Sequence, residues 1–303
     1  MDLTSNSAAV PPPALHRIEA GTQVLGEGMP IRRALPTRER RMIGPWCFLD
    51  HFGPVDVSHG PGMRVGPHPH IGLQTVTWLY EGEVLHRDSL GYVQAIRPGQ
   101  LNLMTSGQGI SHSEESPAER PAGLHGVQFW IALPDTARSG APAFDHHAQL
   151  PSVRHEGLDC TVLVGSALGM TSPARMQWPV VGLDVSLGGA TEASLPLDTG
   201  FEHAMLVTQG RVDVEGETLE PGTLLYLGGQ RDRVRLRADK AARLVLIGGR
   251  PFEEPMLMWW NFVARSKQEL SAACREWNHA EAKFGEVKGY DGNRLAAPMP
   301  PWA

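Results

Sequence analysis

The sequence predicts an all-β fold of two barrels in one chain followed by a short helix, and three observations carry that expectation. The first is length: 303 residues are enough for two domains of roughly 100 to 150 residues, each with its own core. The second is punctuation. Short runs of strand-forming residues recur between Gly and Pro signals, with Gly 34 and Pro 25 spread along the chain, a spacing typical of barrels and sandwiches. The third is internal similarity. LYEGEV (79–84) followed by RPGQL (97–101) is echoed by VTQGRV (207–212) followed by EPGTL (220–224), so that Gly82 maps to Gly210 and Gly99 to Gly222, offsets of 128 and 123 residues. Each copy reads as strand, glycine turn, strand, then a Pro-Gly turn into another strand, which indicates a duplicated unit.

The strands expected in the first copy are TVTWLY (75–80), EVLHRD (83–88), LNLMT (101–105) and VQFWIAL (127–133). In the second they are CTVLVG (160–165), VGLDVSL (181–187), TLEPGTLLYL (218–227) and RLVLIG (243–248). The run RDRVRLR (231–237) reads as the charged outer face of a strand, alternating with Val234 and Leu236. Between the copies, residues 137–157 are rich in small, polar and turn residues and form the connection. The expected division is a flexible N-terminus over 1–14, a metal-binding barrel over 15–149, a barrel without metal over 150–255 and a helical extension over 256–303. In that extension Ser266 and Glu269 fit a capping box, and Leu270, Ala273, Cys274 and Trp277 follow at helical spacing.

Composition excludes several classes. With 41% hydrophobic and 20% charged residues the profile is that of an ordinary globular protein. A net charge of -6, without Lys/Arg runs, argues against a direct nucleic-acid partner. Cys47, Cys160 and Cys274 lie far apart and form no CxxC, as expected of reduced thiols packed as small core residues in a cytoplasmic protein. The N-terminus lacks a basic start with an apolar stretch, and no apolar run approaches the ~20 residues that span a bilayer, so no membrane partner is expected.

Residues i and i+2 of a strand share a face, so His68 and His70 of HPH can aim two imidazoles at one point inside a barrel. His112 and Glu114 of HSE repeat that geometry. On neighbouring strands the four converge as three neutral nitrogens and one carboxylate, a set suited to a divalent first-row transition metal, with positions left for water, dioxygen or substrate. Magnesium and calcium would call for carboxylates and carbonyls instead. The second copy is an internal control. At matching offsets from Gly210 and Gly222 it carries Pro196 and Asp198, then Arg235 and Arg237, so that barrel should bind no metal through this arrangement.

The blocks HPHIGLQTVTWLYEGEVLHRDSLG (68–91), IRPGQLNLMTSGQGISHSE (96–114) and LHGVQFWIALP (124–134) resemble those of the pirin family, two-barrel cupin proteins of the double-stranded β-helix (jelly-roll) type. The resemblance is strong over most of residues 15–135 and weak beyond. It places the family's iron ligands on His68, His70, His112 and Glu114, and makes Fe(2+) the expected metal, with Ni, Mn or Co compatible with the same donors. The family usually has a glutamate four residues after the second histidine, where this chain has Gln74. Because Glu114 supplies a carboxylate, metal binding should survive that difference, with altered surroundings. Several pirins resemble the quercetin dioxygenases, which open a flavonol ring with dioxygen and release carbon monoxide. The resemblance therefore implies a flavonol or related aromatic enol as substrate, and Glu114 as the catalytic base as well as a ligand.

Further candidates carry two readings each. His86 and Asp88 either fix the tautomer of a ligand or support a turn. Met104, Trp78 and Phe129 either line a pocket for a flat molecule or, the better expectation, pack the core. His59, His125, His146, His147 and His155 have no partner in register and read as surface or satisfied histidines. Three functions remain distinct: an iron-dependent dioxygenase, a redox-sensitive regulator of a protein partner, and a cupin whose metal only stabilises it.

Overall fold

The computed structural model describes residues 14–303; the N-terminal stretch expected to be flexible lies outside them but for its last residue. The described chain is 52% strand and 5% helix, an all-β fold. In the first barrel a seven-stranded sheet runs, in spatial order, Ala143–His147, Leu101–Thr105, Leu73–Glu81, Gly123–Ala132, Trp46–Asp56, Met29–Leu35 and Gly21–Leu25. It faces a four-stranded sheet of Arg64–His70, Ile110–Glu115, Val84–Asp88 and Val93–Ile96. The second barrel repeats this plan. Its large sheet runs His16–Glu19, Thr223–Gly228, Glu202–Gln209, Ala242–Gly249, Val180–Leu187, Leu158–Ala167 and Ser152–His155, and its small sheet Thr191–Pro196, Arg233–Ala238, Val212–Val214 and Glu217–Leu219. The strands preceding Gly82 and Gly210 hold the same central place. TLEPGTLLYL, read as one segment, is two strands hinged at Pro221-Gly222, because proline cannot extend a ladder and Gly222 takes φ 94°.

The two large sheets pack back to back. Val76, Trp78, Val127, Phe129 and Ile131 of the first meet Leu206, Leu224, Val245 and Ile247 of the second in one buried cluster. Burying about a dozen such side chains at roughly 1.5–3 kcal/mol each is what joins the barrels. The strand His16–Glu19 crosses over to pair with Thr223–Gly228, and Ile18 sits in the shared cluster.

Inside, the barrels differ. The second is filled with aliphatic side chains, among them Leu183, Met205, Leu225, Val234, Leu236 and Leu246. Arg233–Ala238 alternates strictly between exposed and buried positions, so Arg235 and Arg237 point to solvent. They therefore do not take the inward places of His112 and Glu114 against which the residue offsets set them. The turn-to-turn lengths differ, 17 residues from Gly82 to Gly99 against 12 from Gly210 to Gly222, and although each strand begins 11 residues after its second glycine, this one presents its other face, which moves every side chain across the sheet. Val234 and Leu236 are the inward residues.

After the second barrel, Leu257–Trp259 and Phe262–Ala264 form a hairpin, followed by the helix Lys267–Asn278. Ser266 caps the helix, its Oγ accepting from Glu269 N at 3.2 Å. The capping box is not reciprocal: the Glu269 carboxylate accepts from Arg265 N and from Arg138 instead. Leu270, Ala273, Cys274 and Trp277 are buried together with Phe262, Ala264, Phe284 and Ala297. A β-bridge from Ile71 to Phe262 ties this unit to the first barrel, one residue beyond His70.

Candidate metal centre

HPH and HSE lie on adjacent antiparallel strands, with His112 opposite His68 and Ile110 opposite His70. Between His112 and Glu114 the ladder steps from His68 to Val65. Gly66 and Pro67 therefore bulge, and the bulge packs on the C-terminal segment. A Cβ on Gly66 would sit 2.6 Å from the Asn293 carbonyl oxygen, and Pro67 O accepts from Leu295 N at 2.8 Å.

The three imidazoles are buried, and one ligand nitrogen from each lies within 4.8 Å of the others. Each has its second nitrogen engaged. His68 Nδ1 lies 2.9 Å from Gly66 O, and His70 Nδ1 3.0 Å from Asn261 O. A carbonyl only accepts, so both Nδ1 atoms carry the proton. For His112 the partner is His86, Nδ1 to Nδ1 at 3.4 Å, and His86 Nε2 lies 3.1 Å from Asp88 Oδ2. The Asp88 carboxylate accepts from the protonated His86 Nε2, leaving His86 Nδ1 to accept from His112. Asp88 also accepts from Leu90 N and Tyr92 N at 2.9 and 3.0 Å. It supports a turn and sets a tautomer at once. Phe144 stacks on His86 at 4.3 Å.

All three Nε2 atoms are thus left with lone pairs, and those of His70 and His112 face each other at 3.0 Å. Burial, before any other cause, pushes the His68 pKa down to about 4 and those of His70 and His112 well below the usual value, with neighbouring imidazoles adding to the shift. Three neutral nitrogens converging with no proton between them fit a bound cation.

Glu114 is buried and lines the same cavity as His68 and His70. Gln128 Nε2 donates to its two oxygens at 2.8 and 2.9 Å, and Thr77 Oγ1 lies 3.4 Å from Oε1. Burial raises its pKa, while the Gln128 amide, His86 and Thr77 oppose the rise. Its carboxylate stands outside the compact group formed by the imidazoles.

The cavity measures about 290 Å³. Phe48 and Trp130 stack at 3.9 Å and 10° to form one wall, and Trp130 meets His70 edge-on at 5.0 Å. Arg33 lies over Phe48 at 4.4 Å, held by two 2.8 Å bonds to Asp50. Trp260, Asn261 and Leu295 from the C-terminal extension, with Val24, Leu25 and Gly26, complete the lining. A larger groove of about 710 Å³ on the second barrel is bordered by Arg211, Glu220, Arg237 and Asp239, which pair with one another, and holds no imidazole.

Met104, Trp78 and Phe129 pack in the core, away from the cavity. Gln74 is buried on the far face of its strand, where its amide reaches Thr105 and the Arg175 carbonyl at 2.9 and 3.1 Å; the altered surroundings expected from it do not touch the centre. His125 is buried against His51, Nε2 to Nε2 at 2.8 Å. His146 pairs with Asn102 and His155 with Ser194 O, and His59 is exposed. Sequence reasoning missed Gln128, Phe48, Trp130 and Asn261. Cys47, Cys160 and Cys274 are free and buried, and burial holds the Cys47 thiol up at about 12. Among the described residues no helix is long and apolar enough to cross a membrane.

Two jelly-roll barrels of one strand order, with converging imidazoles, among the described residues, inside the first alone, define a bicupin with a candidate mononuclear metal centre. Comparison with known proteins gives the family: a profile described as Pirin matches residues 28–131 and one described as Pirin C-terminal cupin domain matches 182–285. The chain belongs to the pirin family. It is 49% identical over 289 residues to a Pseudomonas aeruginosa protein named "Putative quercetin 2,3-dioxygenase", covering 95% of this chain and 91% of that one. It is 30% identical to human Pirin over 274 residues, 87% of this chain and 91% of the relative. A crystal structure titled quercetin 2,3-dioxygenase from Acinetobacter baumannii superposes with a TM-score of 0.93 at 45% identity, covering 95% of this chain and 96% of the other.

Proposed function

We propose that this pirin is a metal-dependent dioxygenase that opens a flavonol such as quercetin, with one iron(II) held by His68, His70, His112 and Glu114. The observation that carries the reading is the convergence of three neutral imidazole nitrogens beside a buried carboxylate, at the foot of a cavity walled by stacked aromatic rings. The names of the Pseudomonas and Acinetobacter relatives agree with it.

When bound, the metal supplies Lewis acidity that makes an enol hydroxyl acidic and an open position for dioxygen. The chain's own groups supply the rest. The Phe48 and Trp130 faces hold a flat ring system in place. Glu114, oriented by the Gln128 amide, takes the hydroxyl proton on a carboxylate oxygen. Trp260 and Leu295 narrow the mouth and limit water. If Glu114 also serves as a ligand, Gln128 and Thr77 would hold its carboxylate while it accepts the proton.

The test is dioxygen uptake by iron-loaded protein with quercetin. We expect uptake with carbon monoxide release in the wild type and its loss in both His112→Ala and Glu114→Ala. Full metal occupancy without uptake on any flavonol would overturn the proposal and favour a regulatory role for the iron.

A further inference from the structure

We propose that the mouth of the second barrel is a metal-free binding site for a small, uncharged, largely apolar molecule carrying one hydroxyl or carbonyl, with His203 as its hydrogen-bonding anchor. The proposal is independent of the chemistry assigned to the first barrel. His203 is the second residue of the strand Glu202–Gln209 and, with Met205 and Val207 on the same parity, faces the barrel interior. It is 1% exposed, yet neither ring nitrogen has a partner among the described residues. Buried polar atoms in folded proteins are nearly always paired, so an imidazole with both nitrogens unmatched calls for an explanation.

The ring borders a cavity of about 200 Å³ otherwise lined chiefly by Leu168, Leu183, Phe201 and Leu246. A dry cavity of about 150 Å³ accommodates benzene, so this one suits a single ring with one substituent. The duplication shows how the space arises. In the first barrel Thr75 pairs across the ladder with Trp130. The 128-residue offset carries Thr75 onto His203, whose ladder partner is Gly248. A Cβ on Gly248 would lie 2.5 Å from His203 Cδ2, so the glycine admits the imidazole where the first barrel has an indole wall. Asp198 stands at the exposed rim with Oδ1 engaged by Gly200 N. Burial lowers the His203 pKa to about 4, so the neutral ring offers one donor and one acceptor and no attraction for an anion.

The probe is 4-fluorophenol, titrated into full-length protein and followed by fluorine NMR and by the His203 imidazole resonances. We expect a saturable change at His203, no such change with benzoate, and at least an approximately tenfold weaker response in His203→Phe, the loss of one hydrogen bond. Ala167→Trp, a half-buried rim position, should block the cavity without touching the anchor and abolish the response. A folded wild type with no saturable change at His203, changes confined to His68, His70 and His112, or undiminished binding in Ala167→Trp would each overturn the proposal.

Discussion

Each histidine of the centre is locked in one tautomer by a different partner: the bulge carbonyl of Gly66 for His68, the hairpin carbonyl of Asn261 for His70, and the His86–Asp88 pair for His112. Only the last is made of side chains and can be removed by substitution. His86→Leu should weaken metal binding about 10–100-fold, the usual effect of deleting a group that orients a ligand. Competition with a chromophoric chelator measures it, and an unchanged affinity would mean that His112 needs no help from His86. At this scale the ligand pairs were legible because HPH and HSE place like groups two residues apart on strands. Gln128 and Trp130 were not. The strand Gly123–Ala132 buries both faces, one in the barrel and one against its twin, so its pattern gives no clue to which parity faces the candidate centre. Phe129, one residue away and expected first as a core residue, packs edge-on against Trp46 at 5.2 Å.

At the scale of elements, the C-terminal extension does more than cover a barrel. Its helix was readable from the cap at Ser266 and the spacing of Leu270, Ala273, Cys274 and Trp277. Its hairpin was not, being only two three-residue strands joined at Trp260, which takes φ 52°, and Asn261. Nothing local reveals that the Asn261 carbonyl will reach His70. Phe262, fully buried between the helix unit and Ile71, holds that hairpin in place. Phe262→Ala should destabilise the protein by about 3–5 kcal/mol through the cavity it leaves. It should also weaken metal binding, since the His70 tautomer loses its anchor. Urea unfolding of the metal-free protein and chelator competition report the two effects separately; a stability loss with unchanged metal affinity would detach the hairpin from the centre. Ser266→Ala, by contrast, should cost about 1 kcal/mol through the lost cap and leave the metal alone.

For the whole molecule, the repeat of Gly82 and Gly99 at Gly210 and Gly222 was enough to reveal two barrels of one plan. The face of the strand Arg233–Ala238 was beyond that comparison, because a residue count from a turn fixes where a strand begins but not which face it presents. Joining the barrels buries polar groups as well as the apolar cluster. His51 and His125 pair beside Tyr80, whose ring is 4.7 Å from His125 and lies under Arg243 of the second barrel at 4.4 Å. Burial, then Arg32 and His125, hold His51 at about 3; burial, then Arg243 and Arg32, hold His125 at about 4. Both are neutral in the fold and take up a proton on unfolding below about pH 6.5. The unfolded state then binds more protons, so stability falls as pH drops from about 6.5 to about 4, by about 1.4 kcal/mol per pH unit for each histidine. His125→Phe should flatten the slope of unfolding free energy between pH 6 and 4.5 by about that amount relative to wild type, whereas an identical slope would mean that His125 is protonated in the folded state.

The central claim is that the first barrel alone holds the metal, through its converging imidazoles. Elemental analysis of purified wild type and His112→Ala, loaded with iron(II) under identical conditions, tests it most directly. The wild type should carry about one ion per chain and the variant close to none, as removal of one ligand from such a set predicts. Equal metal content in both, or none in the wild type, would contradict it.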